Sequence, residues 1–76
     1  MTQLIENINN QIVDIMKTDS TLKYKLNDLK AVMNSIMSYD IQFQYQVFEI
    51  ITKYINYNSY TDDFYCSYQA YFHNRV

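Results

Sequence analysis

The sequence predicts a small all-α protein, a bundle of four short helices that forms one domain over residues 1–76. Two observations favour this fold class. The chain contains neither glycine nor proline, whereas average proteins carry about 7% and 5% of them, so tight turns and phosphate-binding loops that need glycine are disfavoured. In addition, apolar residues recur at alternating steps of four and three residues, which places them on one face of a helix.

This apolar register is clearest in the second quarter of the chain and continues in both directions. Its clearest members are Leu22, Leu26, Leu29, Met33 and Ile36. Further members are Met1, Ile5, Ile8, Ile12, Ile15, Phe43, Val47, Ile50, Tyr54, Tyr57, Phe64, Tyr68 and Tyr71. One helical periodicity therefore describes most of the sequence.

Residues of the helix-capping type interrupt the register at equal intervals. Asp19, Asp40 and Thr61 occupy register positions 21 residues apart. In a continuous helix, Asp40 would face the apolar stripe without a partner, whereas at a turn it becomes a solvated N-cap. We therefore expect turns here and four helices between them. A long helical coiled coil, in which these residues do not turn, is an alternative.

The first two helices follow directly from the register and its breaks. Helix one is predicted over residues 3–17, with Thr2 as its N-cap. Asp19 or Ser20 is expected to cap helix two, which runs to about Met37.

The third segment contains a conflict between two periodicities. Residues 41–47 alternate between apolar and polar side chains, which is typical of a half-buried strand, but the apolar residues from Val47 to Ile55 keep helical spacing. We predict a helix over residues 41–57, because glutamine, the alternating polar residue, is a fair helix former. A strand or hairpin within residues 41–72 is the alternative.

The last helix is expected to begin at Ser59 or Thr61. Asp62 and Asp63 then lie in its first turn, where negative charge is favourable. The alternation within residues 64–72 again permits a strand.

Helix three carries a wider apolar stripe than one neighbouring helix covers. Its apolar residues beside the register are Ile41, Phe48, Ile51 and Ile55. Either this helix is central in the bundle or its face is buried against another chain. Because so short a chain buries little surface and its single cysteine forms no internal disulfide, we predict a homodimer through helices three and four.

Charge and composition suggest a compartment and an origin. The net charge is −2, from six basic and eight acidic residues, which by itself does not indicate nucleic-acid binding. No apolar run is long enough to span a membrane, and the N-terminus lacks the positive flank of a signal peptide. We expect a reducing cytoplasm. The preference for residues with A/T-rich codons suggests a viral protein, encoded by a phage or another mobile element.

Candidate catalytic and metal-binding residues are few. Cys66 and His73 are the chain's single cysteine and histidine, and seven residues along a helix separate them by about 10 Å, too far for proton transfer. Together with Asp62 and Asp63 they lack the spacing of a known zinc site. We predict no enzymatic activity, no metal and no cofactor.

The tyrosines suggest a binding function. Six of nine lie at residue 54 or later. Those on the register are expected in the core, whereas Tyr60 and Tyr65 lie off it and are expected on the surface. Because tyrosine anchors many interfaces, we expect a non-enzymatic protein-binding module, a small inhibitor or adaptor that docks on a larger protein through an aromatic and acidic C-terminal surface. The expected partner-binding residues are Tyr57, Tyr60, Asp62, Asp63, Tyr65, Tyr68 and Phe72.

The alternative function is a small DNA-binding transcriptional regulator. Lys23, Asn27, Lys30 and Asn34 line one face of helix two, as side chains of a recognition helix do. Acidic residues within positions 1–38 cancel the basic charge there, and this region has no arginine for bidentate base contacts.

Overall fold

The computed structural model describes residues 2–56 and 61–75, without the side chain of Thr2. Its helices are, in chain order, α1 (Thr2–Lys17), α2 (Leu22–Ser35), α3 (Ile41–Tyr54) and α4 (Asp62–His73). The predicted all-α bundle of four helices is confirmed. Within the described residues no helix combines the length and the apolar character that crossing a membrane requires.

Both alternatives to the bundle are wrong. Residues 41–47 and 64–72 are helical, and the described part of the chain contains no strand. The described residues extend 31 × 28 × 18 Å, whereas one helix of this length would measure about 110 Å. The breaks in the register are therefore real turns.

Asp40 begins α3 as expected. Its backbone is extended, and its Oδ1 accepts a hydrogen bond from the Phe43 N–H at 2.9 Å. In the helix that follows, Gln42 and Gln46 are exposed while Gln44 is buried. The alternating polar residues therefore lie on different sides of a helix and not together on one face of a strand.

The central position of α3 explains its wide apolar stripe. This helix packs against α1, α2 and α4. Its buried side chains are Phe43, Gln44, Val47, Phe48 and Ile51, with Ile55 buried directly after it. Since neighbouring helices within the chain cover this stripe, the stripe no longer supports dimerisation, and the homodimer stays a prediction.

The core includes register residues of α1, α2 and the first half of α3, and departs from the register in the second half of α3. Buried register residues include Ile8, Ile12, Leu29, Met33, Ile36, Phe43 and Val47. Tyr54, which the register places in the core, is instead 42% exposed. Tyr54 is the last residue of α3, and its hydroxyl lies 3.5 Å from Asn9 Oδ1 of α1 at the surface.

Several helix ends differ from the prediction. α1 begins one residue early, at Thr2. The residue preceding α2 is Thr21, whose side chain makes no capping bond. The hydroxyl of Ser20 lies 3.0 Å from that of Thr18 and not at the start of α2. The expected cap at Asp19 or Ser20 is therefore wrong.

α2 and α3 also end earlier than expected, at Ser35 and Tyr54. Thr61 does precede α4, but its Oγ1 donates to the Asn56 carbonyl at 2.8 Å and does not cap the helix. The other expected start, Ser59, lies outside the described residues.

At the helix C-termini, side chains donate hydrogen bonds to backbone carbonyls, a place where many proteins have a left-handed glycine. Helices commonly end on a left-handed residue, usually glycine, but no described residue has positive φ. Lys25 Nζ instead donates to the Met16 carbonyl in the last turn of α1 at 3.0 Å.

The side chain of Gln44 bonds to the turn after α2, and the residue is only 4% exposed. Its Nε2 donates to the carbonyls of Met37 at 3.1 Å and Tyr39 at 2.8 Å. Its Oε1 accepts a hydrogen bond from the Tyr71 hydroxyl at 2.9 Å. One buried amide therefore joins the α2–α3 turn, α3 and α4.

We predict that Gln44→Ala lowers the free energy of unfolding by about 2 kcal/mol, because two carbonyls and a hydroxyl lose their partner in a poorly solvated place. Gln42→Ala, on the exposed side of the same helix, is the control and should change it by less than about 0.5 kcal/mol. Urea unfolding followed by circular dichroism measures both. Equal effects of the two substitutions would show that the buried amide bonds contribute little.

Candidate functional site

An aromatic cluster joins α3 to α4. We define it as Tyr45, Phe48, Phe64, Tyr65, Tyr68, Tyr71 and Phe72. The Phe48 ring is at its centre, with centroid distances of 6.1 Å to Phe64, 6.4 Å to Tyr65, 5.7 Å to Tyr68 and 5.3 Å to Phe72. These are the separations at which aromatic pairs attract one another, so the cluster is the main contact that positions α4.

Tyr65 belongs to this cluster and not to the surface. It is 8% exposed, and its hydroxyl donates to the Ile55 carbonyl at 2.8 Å and approaches the Thr52 carbonyl at 3.4 Å. The expectation that Tyr65 is an exposed docking residue is wrong. Its ring faces α3, where its hydroxyl satisfies a carbonyl at the end of that helix.

The other expected partner-binding residues are divided between core and surface. Phe72 is buried, which corrects its placement on an exposed surface, and Tyr68 is half-buried. Asp62 and Asp63 lie in the first turn of α4, as expected, and Asp63 is exposed. Tyr57 and Tyr60 lie outside the described residues.

A groove of about 350 Å³ runs beside the aromatic cluster, and we name it the α3–α4 groove. It is lined by Tyr45, Phe48, Gln69, Phe72 and His73. The two phenylalanines are buried and form its floor, Tyr45 is half-buried, and Gln69 and His73 are exposed on its rim. Of these residues only Phe72 was expected at a partner-binding surface. The sequence did not indicate Tyr45, Phe48, Gln69 or His73 for this role, because the groove forms only where α3 and α4 pack together.

A second depression, the α2–α4 cleft, measures about 390 Å³. It is lined by Lys23, Leu26, Asn27, Lys30, Asp63 and Phe64. Lys23, Asn27 and Lys30 are exposed, as is Asn34 further along the same helix. The four residues of the alternative DNA-binding face thus share an exposed face of α2, with Asp63 of α4 across the cleft from three of them.

The thiol of the cysteine in α4 is poorly suited to act as a nucleophile. Cys66 is exposed, and its Sγ donates to Asp62 Oδ1 at 3.5 Å. Desolvation and the neighbouring Asp62 and Asp63 carboxylates raise the pKa of the Cys66 thiol, which weakens it as a nucleophile. Among residues 2–56 and 61–75, no three potential ligands converge on one point that could hold a metal ion.

Burial also changes the pKa values of two tyrosines in the aromatic cluster. Desolvation raises the pKa of Tyr65 and of Tyr68 above the ordinary tyrosine value, because their rings are held where the phenolate is poorly solvated. The folded state therefore favours the neutral phenols.

From this we predict an alkaline loss of stability. A pKa raised in the folded state means that stability is fully present below the unfolded value of about 10 and is lost as the pH rises through the folded value. Urea unfolding between neutral pH and alkaline pH measures the decline, and Tyr65→Phe should flatten it.

At neutral pH, Tyr65→Phe should cost about 1 kcal/mol, because the Ile55 carbonyl loses its donor. Tyr24→Phe is the control, since Tyr24 is 62% exposed. An unchanged alkaline decline in Tyr65→Phe would contradict the assignment of this effect to Tyr65.

Comparisons of the chain with known protein families, with curated proteins and with solved structures find no match.

Proposed function

We propose that this protein is a non-enzymatic protein-binding module that docks on a larger protein through the α3–α4 groove. The observation that carries the proposal is the construction of this groove, with the rings of Phe48 and Phe72 as its floor and Gln69 and His73 on its rim. A rigid aromatic floor within a polar rim suits an apolar anchor side chain of a partner.

The proposed surface is aromatic, and the acidic pair is not part of it. Asp62 and Asp63 begin α4, whereas Phe72 and His73 end it, about 15 Å away along the axis. This separation revises the expected aromatic and acidic surface into an aromatic groove and a separate charged cleft.

Within this class we propose an inhibitor or adaptor that acts in the cytoplasm. A phage or mobile-element origin remains part of the proposal on compositional grounds, and a homodimer would use the same two helices.

We expect Gln69→Arg to weaken partner binding about tenfold or more, because the longer, charged side chain reaches across the groove and fills it. Gln69 is exposed and arginine is a good helix former, so the fold should persist. Peptides selected from a random displayed library on the wild-type protein provide ligands, and fluorescence anisotropy measures their affinity for each variant.

Gln11→Arg is the matched control, since it makes the same change at an exposed position of α1. Selected peptides should bind this variant as they bind the wild type. Selected peptides whose affinity is unchanged by Gln69→Arg, or a selection that yields no binder, would show that the groove is not the docking site.

The second candidate function is DNA binding, favoured by the shared exposed face of Lys23, Asn27, Lys30 and Asn34. Asp63 lies across the α2–α4 cleft from the lysines and repels phosphates. We therefore expect no retention on duplex DNA or heparin, even at low salt. Retention that falls steeply with salt and disappears in a Lys23→Gln/Lys30→Gln variant would instead favour the regulator.

A further inference from the structure

The α2–α4 cleft has a positive rim on a protein of negative net charge. Lys23 and Lys30 stand on α2 and Asp63 stands on α4, while the whole chain carries a net charge of −2. Neither lysine forms a hydrogen bond or an ion pair within the described residues. The cleft thus offers two solvated cations to an incoming ligand.

Among the described residues, Lys23 and Lys30 lack the contacts or helix-end positions that the other basic residues have. Lys17 and Lys53 lie in last turns of helices, where a cation is favourable. Lys25 donates a hydrogen bond to the Met16 carbonyl in the last turn of α1. Arg75 donates to the Tyr71 carbonyl and lies over the Tyr71 ring. Lys23, by contrast, lies in the first turn of α2, which contains no acidic residue and where a cation opposes the helix dipole.

An apolar floor lies between the two lysines. Leu26 stands three residues after Lys23 and four before Lys30, so the three side chains share one face of α2. Phe64 of α4, only 2% exposed, completes this floor. Along the helix axis the lysines are about 10 Å apart, which is two turns.

We propose that the α2–α4 cleft binds an acidic amphipathic helix of a partner protein, with two carboxylates seven residues apart and an apolar side chain between them. The carboxylates would pair with Lys23 and Lys30, and the apolar side chain would cover Leu26 and Phe64. This inference rests on the proposed protein-binding function and adds a second docking site with its own partner chemistry.

Charge complementarity decides in favour of this occupant. A partner helix presents positions seven apart on one face, with positions three or four apart between them, which repeats the order of cation, apolar residue and cation on α2. A nucleic-acid backbone carries a phosphate at every nucleotide and therefore brings negative charge toward Asp63 as well as toward the lysines, whereas a helix can carry carboxylates opposite the lysines alone. Donors on the partner helix, such as a lysine, can instead pair with this carboxylate.

Two synthetic helical peptides of identical composition test the proposal. The matched peptide carries two glutamates seven positions apart with leucines between them, and the permuted peptide has both glutamates shifted by two positions, onto the opposite face. We expect the matched peptide to bind the wild-type protein about tenfold more tightly by fluorescence anisotropy, with an affinity that falls as salt is added.

The variant Lys23→Gln/Lys30→Gln should lose this preference and bind the matched peptide about tenfold more weakly. Lys17→Gln/Lys53→Gln is the control, because it removes the same charge away from the cleft; its affinity should stay within about twofold of wild type. Circular dichroism of both variants checks that the helices are retained.

Three outcomes would overturn the inference: equal binding of the two peptides, equal effects of the two double variants, or binding of a short oligonucleotide in preference to the matched peptide. The Gln69→Arg variant should bind the matched peptide as the wild type does. If the cleft fails while library peptides remain sensitive to Gln69→Arg, only this inference is wrong. If both sites fail, the proposed function is wrong as well.

Discussion

The packing of the Phe48 ring against four rings of α4 is the contact on which the position of the last helix, and with it both candidate binding sites, depends. α3 packs against each of the other helices, whereas α4 packs chiefly against α3. Because one aromatic contact region positions α4, both of its flanks stay open. The α3–α4 groove is lined by residues near the end of α4 and the α2–α4 cleft by residues at its start, so the two candidate binding sites are consequences of how the last helix is attached.

The absence of glycine changes how this bundle satisfies its helix ends. With no left-handed residue among those described, long side chains from elsewhere in the chain supply the missing donors. Lys25 serves the end of α1, Gln44 serves the turn after α2, and Tyr65 serves the end of α3. Each donor lies in the helix that follows its acceptor, so each of these bonds also ties a helix to the helix end or turn that precedes it. Polar groups that look like surface residues in the sequence therefore become part of the tertiary structure.

The two depressions offer different chemistry to a partner. The groove presents aromatic rings within a rim formed by an amide and an imidazole, while the cleft presents two lysines, one aspartate and an apolar floor. An adaptor requires separable surfaces of this kind, since an aromatic anchor and an acidic helix are recognised by different forces. An inhibitor requires only one of them. The two proposed binding surfaces are therefore separate and can be altered one at a time.

The sequence by itself determined the fold class, the number of helices and the cap at Asp40, because helical periodicity and capping are local properties that neighbouring residues specify. It also placed Lys23, Asn27, Lys30 and Asn34 on one exposed face. Only the tertiary structure decided that Tyr65 is buried, that Tyr54 is exposed and that Phe64 lies beside Leu26. The rotation of α4 about its axis depends on the ring contacts with Phe48, and contacts between residues so distant in the chain leave no trace in the periodicity of either helix.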